Sequence, residues 1–155
     1  MSLRNGLALL ALLLPAACAS LPNPPPAPVA PAPAPGAVIA GAAVARIGAP
    51  YQFGAADAAG FDCSGLALYA HARAGIAIPR TAAEQQRAAR PVPLAQLAPG
   101  DLVFFRIRSH HVDHVGVYAG GGRFVHAPRA GLAVSYGELD SGFYRRRFVS
   151  AGRFW

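Results

Sequence analysis

From residue 38 onward, apolar residues fall first at helical spacing and then in strand-like alternation. Val38 to Ile47 (VIAGAAVARI) predicts a modest helix closed by Gly48 ahead of Ala49-Pro50, and Tyr51 to Phe61 reads as a glycine-punctuated loop. Ser64 to Ala74 carries Leu66, Leu68, Tyr69 and Ala72 at mostly helical spacing, with Gly75 as its stop and Asp62 placed to cap its first turn. Thr81-Ala82-Ala83-Glu84 is a capping-box pattern and opens a further helix to about Ala89.

The texture changes after the Pro99-Gly100 turn signal. Leu102 to Arg106 predicts a strand, His114 to Ala119 alternates, Gly120-Gly121-Gly122 turns, and Arg123 to Ala127 returns. Leu132 to Tyr136 and Arg147 to Phe154 are weaker strand candidates. Helices first and strands afterwards imply an α+β domain, its N-terminal helices packed against an antiparallel sheet of about five to six strands. Hairpin parity adds one constraint. A three-residue glycine loop pairs Ala119 with Arg123, which sets His126 opposite Gly116 and diagonal to His114, whereas a two-residue loop puts the imidazoles on opposite faces.

The N-terminus reads as an address. Met1 to Asn5 carries Arg4, Gly6 to Leu14 is apolar, and Pro15 to Ser20 is small and uncharged, the pattern of a secretory signal peptide, which is placed at residues 1–18. Ala16-Ala17-Cys18 resembles the end of a bacterial lipobox, in which Cys18 is lipidated, although Pro15 stands where leucine is usual. Ala17-Cys18-Ala19 also fits ordinary cleavage, so both outcomes stay open. Residues 19–36 form a Pro/Ala-rich linker of polyproline character, and 37–155 remain as one domain of ordinary size.

Hydrophobic residues make up 54% of the 155-residue chain, yet no apolar run reaches the ~18 residues of a spanning helix, which excludes a polytopic membrane protein. The formal charge is +7 and every basic residue is arginine. These are scattered, only Arg145-Arg146-Arg147 forming a run, and no nucleic-acid-binding motif accompanies them. The run is expected to be a solvated strand edge that blocks sheet-to-sheet pairing, and no nucleic-acid partner is expected.

Chemistry concentrates on Cys63, set in Gly60-Phe61-Asp62-Cys63-Ser64-Gly65 at a helix start. A helix N-terminus favours thiolate over thiol, and its free N–H groups can hold an oxyanion. His114 can act as base and His126 can orient it. The plain alternative for a lone cysteine is a small buried hydrophobe. Cys63, His114 and His126 also count as three zinc ligands, although His110-His111-Val112-Asp113-His114 lacks the Glu of a zinc-peptidase helix.

Six blocks in order carry a resemblance: Pro50-Tyr51 with Phe53-Gly54; Gly60 to Leu66; Ile78-Pro79-Arg80-Thr81 with Gln85; Pro99 to Phe105; His114 to Tyr118; and Phe124 to Pro128. Residues 49–154 thereby resemble the NlpC-type family of bacterial cell-wall cysteine peptidases, distant relatives of papain. The resemblance implies a papain-like fold and hydrolysis of the γ-D-glutamyl–diamino acid amide of peptidoglycan stem peptides. It implies Cys63 as nucleophile, His114 as base and His126 as third polar residue. Tyr51 would sit at the oxyanion, and Asp62, Ser64 and Arg80 at the substrate pocket. Ala55 departs from the family, which often has a second glycine there. No cofactor or metal is expected. The expected partner is peptidoglycan, the expected unit a monomer, and the expected location the cell envelope, periplasmic, with or without an outer-membrane lipid anchor at Cys18. The alternatives are a catalytically silent wall-binding or scaffold module of the same fold, and acyl transfer to an amine.

Overall fold

A computed structural model describes residues 32–155 of the chain. The signal segment, Cys18 and most of the Pro/Ala linker lie outside the described residues. In chain order the elements are α1 (Pro35–Val44), β1 (Ala56–Asp57), β2 (Gly60–Phe61), α2 (Cys63–Arg73), α3 (Ala82–Ala88) and β3 (Arg90–Val92). They continue with β4 (Leu102–Phe105), β5 (His114–Gly120), β6 (Arg123–His126), β7 (Ser135–Glu138), α4 (Gly142–Arg145) and β8 (Phe148–Arg153). The first three helices precede a six-stranded antiparallel sheet of order β3-β8-β4-β5-β6-β7, the α+β arrangement expected, and α4 lies in the chain between its strands β7 and β8.

Local signals set the helices. Thr81 and Glu84 close a reciprocal capping box on α3, and the Asp62 side chain accepts from Gly65 N–H to cap α2. The first helix begins at Pro35 instead of Val38, so Pro35 and Gly36 are helical although the composition placed them in the linker. Proline suits a first helical position because its missing N–H would have no partner there. The helix ends at Val44, and a turn carries the chain from there to Gly48.

β4 is buried on both faces, which explains its unbroken apolar run. Leu102 and Phe104 join Ile39, Leu66, Val115 and Val117 in the larger core, while Val103 and Phe105 join Phe124 and Ala151 in a second cluster.

The β5–β6 hairpin reaches the expected register by an unexpected route. Its closing pair is Gly120 with Arg123, leaving a two-residue loop of Gly121 and Gly122, both at positive φ (61° and 75°). Alone, that loop would separate the two histidines onto opposite faces. A register shift between Tyr118 and Gly120 leaves Ala119 as an extra residue and restores the parity, so Tyr118 faces Phe124 and Val117 faces Val125. Extending this pairing puts His126 opposite Gly116.

Two strand expectations shift: β7 starts at Ser135 rather than Leu132, and β8 covers Phe148–Arg153. The arginine run is not on a sheet edge. Arg145 ends α4, Arg146 caps it and Arg147 leads into β8, an interior strand between β3 and β4. Arg147 donates to Phe143 O at 3.0 Å and lies 3.9 Å over the Phe143 ring.

Asp101, at the Pro99-Gly100 turn, is wholly buried and receives two charge-assisted bonds from Arg153, at 2.6 and 2.7 Å, plus one from Ala98 N–H at 2.8 Å. Removing one partner of a buried pair strands the other, so Asp101→Ala is expected to cost about 3–5 kcal/mol in denaturant unfolding. A change below about 1 kcal/mol would show that the pair contributes little.

Candidate active site

Asp62 organises the front of α2. Its carboxylate accepts from Gly65 N–H (2.6 Å), Gly54 N–H (2.9 Å), Ser64 Oγ (3.2 Å) and both terminal nitrogens of Arg80 (3.1 and 2.6 Å). Arg80 also donates to Ser64 Oγ at 2.9 Å. Burial acts to raise the Asp62 pKa, but the Arg80 bond and the Gly65 and Gly54 N–H groups together hold it below the usual carboxylate range. Wholly buried Gln85 donates to Ser64 O (3.1 Å) and Pro79 O (2.9 Å), tying the Arg80 loop to the helix. Gly65 allows a close approach, since a Cβ there would overlap the Ala55 carbonyl oxygen. The Ala55 side chain does not prevent this loop from closing on α2: Asp62 N–H donates to Ala55 O at 3.0 Å.

Cys63 is the first residue of α2 and only partly exposed. It lines a cavity of about 400 Å³ together with Tyr51 and His114. Its thiol lies 3.9 Å from Asp113 O. Burial is the largest influence on the thiol and pushes its pKa up to about 11, the Asp62 charge adding to the rise, while the Val115, Ser64 and Cys63 N–H groups work against it. The net shift is upward, opposite to the electrostatic expectation for a helix terminus: desolvation of the sulfur outweighs the N–H groups there. Burial thus favours the neutral form of both partners, raising the thiol and lowering the imidazole. Tyr51, also raised by burial and by the neighbouring sulfur, shares the cavity.

Behind His114 stands His126, with His114 Nε2 and His126 Nδ1 2.8 Å apart and the rings at 89°. The histidines rest on aromatic packing, Phe105 beside His114 and Phe124 beside His126. Nothing in the sequence spacing singles out two further contributors. Tyr144 on α4 brings its hydroxyl to 3.3 Å from His126 Nε2, its ring packed against Phe105 and Phe124. Asp113, left without a role by the sequence, accepts from Ile107 N–H (2.7 Å) and Arg108 N–H (2.8 Å) and closes the β4–β5 loop over the cavity. A short four-residue helix and a loop-internal carboxylate carry no periodic signature. His110 is exposed, and His111 lines only the neighbouring Asp62–Arg80 cavity. Among the described residues no three His, Cys, Asp or Glu side chains converge as metal ligands.

The hydrogen-bond chain has two self-consistent proton arrangements. If His114 Nε2–H donates to His126 Nδ1, then His126 Nε2–H donates to the Tyr144 oxygen, and His114 Nδ1 is left bare to accept a proton. The reverse order protonates Nδ1 and removes the base.

Burial lowers His114 to about 4 and His126 to about 3, the His114 charge adding to the latter. An unfolded chain titrates these rings near ~6.5, so below that pH it binds protons that the folded state refuses. Stability is therefore present in full above about pH 6.5 and lost as the pH falls toward the folded values, by up to ~1.4 kcal/mol per pH unit for each ring. The contribution of Asp62 is lost only at lower pH, below ~3.9, as its depressed folded value is crossed. Urea titrations from pH 7.5 to 4.5 are expected to show this slope, shallower in His126→Asn. A profile flat through that window would contradict neutral burial of the pair.

Residues 48–153 match the NlpC/P60 family. The chain is 43% identical over 113 residues to the murein DD-endopeptidase MepH of Escherichia coli, covering 70% of this chain and 42% of that protein. It is 41% identical over 109 residues to the bifunctional muramidase/DL-endopeptidase CwlT of Bacillus subtilis, covering 68% of this chain and 32% of that protein. It thus spans less than half the length of these curated relatives. Its fold matches the crystal structure of an NlpC/P60 family protein from Bacillus cereus with a TM-score of 0.72 at 33% identity, over 80% of this chain and 41% of that chain. The family match covers both the Asp62-Cys63-Ser64 helix start and the two histidine strands, and this chain belongs to the NlpC/P60 family.

Proposed function

We propose that this domain is an exported peptidoglycan endopeptidase that hydrolyses the γ-D-glutamyl–diamino acid amide of stem peptides through an acyl-enzyme on Cys63. The observation that carries the reading is one cavity lined by both Cys63 and His114, with His126 2.8 Å behind His114. As the Cys63 sulfur attacks the amide carbonyl carbon, its proton passes to His114 Nδ1. Backbone N–H groups at the start of α2 and the Tyr51 hydroxyl face the developing oxyanion. The His114 imidazolium then protonates the leaving amine as the C–N bond breaks. Water attacks the thioester, gives its proton to His114, and the departing sulfur recovers it. His126 receives the His114 Nε2–H bond and so holds the tautomer that leaves Nδ1 free. Asp62, Ser64 and Arg80 form the acyl-side pocket.

Relatives named as DD- and DL-endopeptidases make the bond itself the point to test. Mass spectrometry of a muropeptide digest reads reaction and bond together. Expected products end in a free γ-D-glutamyl carboxyl and begin with a free diamino acid. Cleavage at another bond, products carrying a new amide, or equal product from Cys63→Ala would overturn the reading. Envelope attachment belongs to the same proposal: Cys18→Ala is expected to shift the protein from the membrane to the soluble exported fraction, and an intact mass beginning at unmodified Ser20 would contradict lipidation.

A further inference from the structure

The cleft around Cys63 has two ends of different charge character. At one end, Asp62, Ser64 and Arg80 line a cavity that His114 does not reach, and there the Arg80 guanidinium is matched by the Asp62 carboxylate at 2.6 Å. At the other end His114 lines two adjoining cavities, of about 400 and 170 Å³; Arg129 lines these two and not the first, while Arg108 lines both and also reaches the Asp62–Arg80 cavity. Neither guanidinium has a hydrogen bond or ion pair among the described residues, and both side chains are exposed. Asp113, the acidic residue lining the larger of these two cavities, spends its carboxylate oxygens on the Ile107 and Arg108 N–H groups. The Arg108 charge lies near enough to work against protonation of His114.

Chemistry decides which half of the substrate meets this end. The imidazolium must come within about 2.6–3.2 Å of the leaving nitrogen to protonate it. Whatever is attached to that nitrogen therefore continues past His114 into the cavities that His114 lines, and the acyl half lies toward Asp62, Ser64 and Arg80. The leaving half meets two guanidinium groups without a protein carboxylate free to pair with them. A guanidinium is a planar fork that binds a carboxylate through two parallel N–H···O bonds.

We propose that Arg108 and Arg129 form a carboxylate-binding subsite for the leaving half of the substrate. The preferred substrates are stem peptides whose released diamino acid presents a free carboxylate. That carboxylate is either the second acid group of a diamino dicarboxylic acid or the C-terminus of a chain ending there. The inference rests on the endopeptidase reading above for the identity of the leaving group.

Four tripeptides test it: L-Ala-γ-D-Glu joined to meso-diaminopimelate, to its side-chain amide, to its C-terminal amide, and to L-lysine amide. The wild-type protein is expected to cut the fully acidic peptide at least about tenfold more efficiently in kcat/KM than the lysine amide. Of the two mono-amides, the weaker substrate identifies which carboxylate is bound. Arg108→Gln and Arg129→Gln are expected to shrink the preference about threefold each, mainly through KM, and the double variant to abolish it. Using the ratio between substrates cancels any effect of Arg108 on the His114 proton affinity. Equal loss on all four peptides, or no preference in the wild type, overturns the subsite while leaving the endopeptidase intact. Binding to Cys63→Ala needs no turnover: titration with the acidic peptide and the lysine amide is expected to show the same Arg-dependent preference. If no peptide is cut yet the preference in binding persists, the endopeptidase reading fails and the anion subsite stands. If binding shows no preference, the subsite fails.

Discussion

Cys63→Ala is expected to remain folded and to lose stem-peptide cleavage by at least about 10⁴-fold. Cys63 is the first residue of α2, whose start is set by Asp62, Gly65 and the Arg80 and Gln85 contacts, none of which uses the sulfur. Alanine is the best helix former, and the truncated side chain opens onto an existing cavity, so the stability change should stay within ~1 kcal/mol. What disappears is the atom that would carry the acyl group. Matched near-ultraviolet circular dichroism and urea midpoints establish the fold, and product yield then reads chemistry alone. Retained cleavage with an unchanged fold would leave the silent-scaffold alternative excluded but the cysteine mechanism wrong. A thiol-alkylation profile gives a parallel check: with the thiol raised by burial, labelling should be slow near pH 6 and climb with alkalinity.

The second large effect is a graded series along the histidine chain. His114→Gln should cost about 10³-fold or more, since glutamine fills the space without accepting and returning a proton. His126→Asn or His126→Gln should cost only about tenfold, because an amide oxygen can accept from His114 Nε2–H and preserve the tautomer. His126→Ala should cost about 10²-fold, leaving the buried His114 Nε2–H unpaired beside Phe105. Tyr144→Phe keeps the ring packing and removes only the hydroxyl at 3.3 Å, so its loss should be smaller, appear in kcat rather than KM, and leave the fold unchanged. Nitrogen chemical shifts of the two rings read the tautomer directly. Full turnover by His126→Ala would reduce the working unit to Cys63 and His114. Turnover by Tyr144→Phe equal to wild type would make α4 a packing element alone.

Much of this architecture is local in origin and so was legible along the chain. Asp62 and Thr81 cap helices through residues three positions away, and Leu102 to Phe105 is apolar throughout because both faces are covered. The α+β order and the approximate strand positions follow from spacing. The cysteine and both histidines stand out as residue types that rarely occur together without chemistry or metal.

Other features depend on pairings between distant residues, for which no periodicity exists. The parity of His114 and His126 was right in outcome, yet it rests on an extra residue at Ala119 that compensates for a two-residue turn, and backbone twist decides between such equivalent routes. Asp101 found Arg153 across 52 residues, and the Arg145–Arg147 run fell on a short helix and turn ahead of β8, an interior strand between β3 and β4. The thiol's proton affinity reversed direction because burial, a property of the assembled fold, outweighs the helix dipole that sequence position announces. Along the chain, then, sequence alone determined where helices and strands begin and which side chains can do chemistry. Tertiary packing decided which of them meet, which are desolvated and which charges are left facing the cleft, because those depend on distances that only the folded sheet defines.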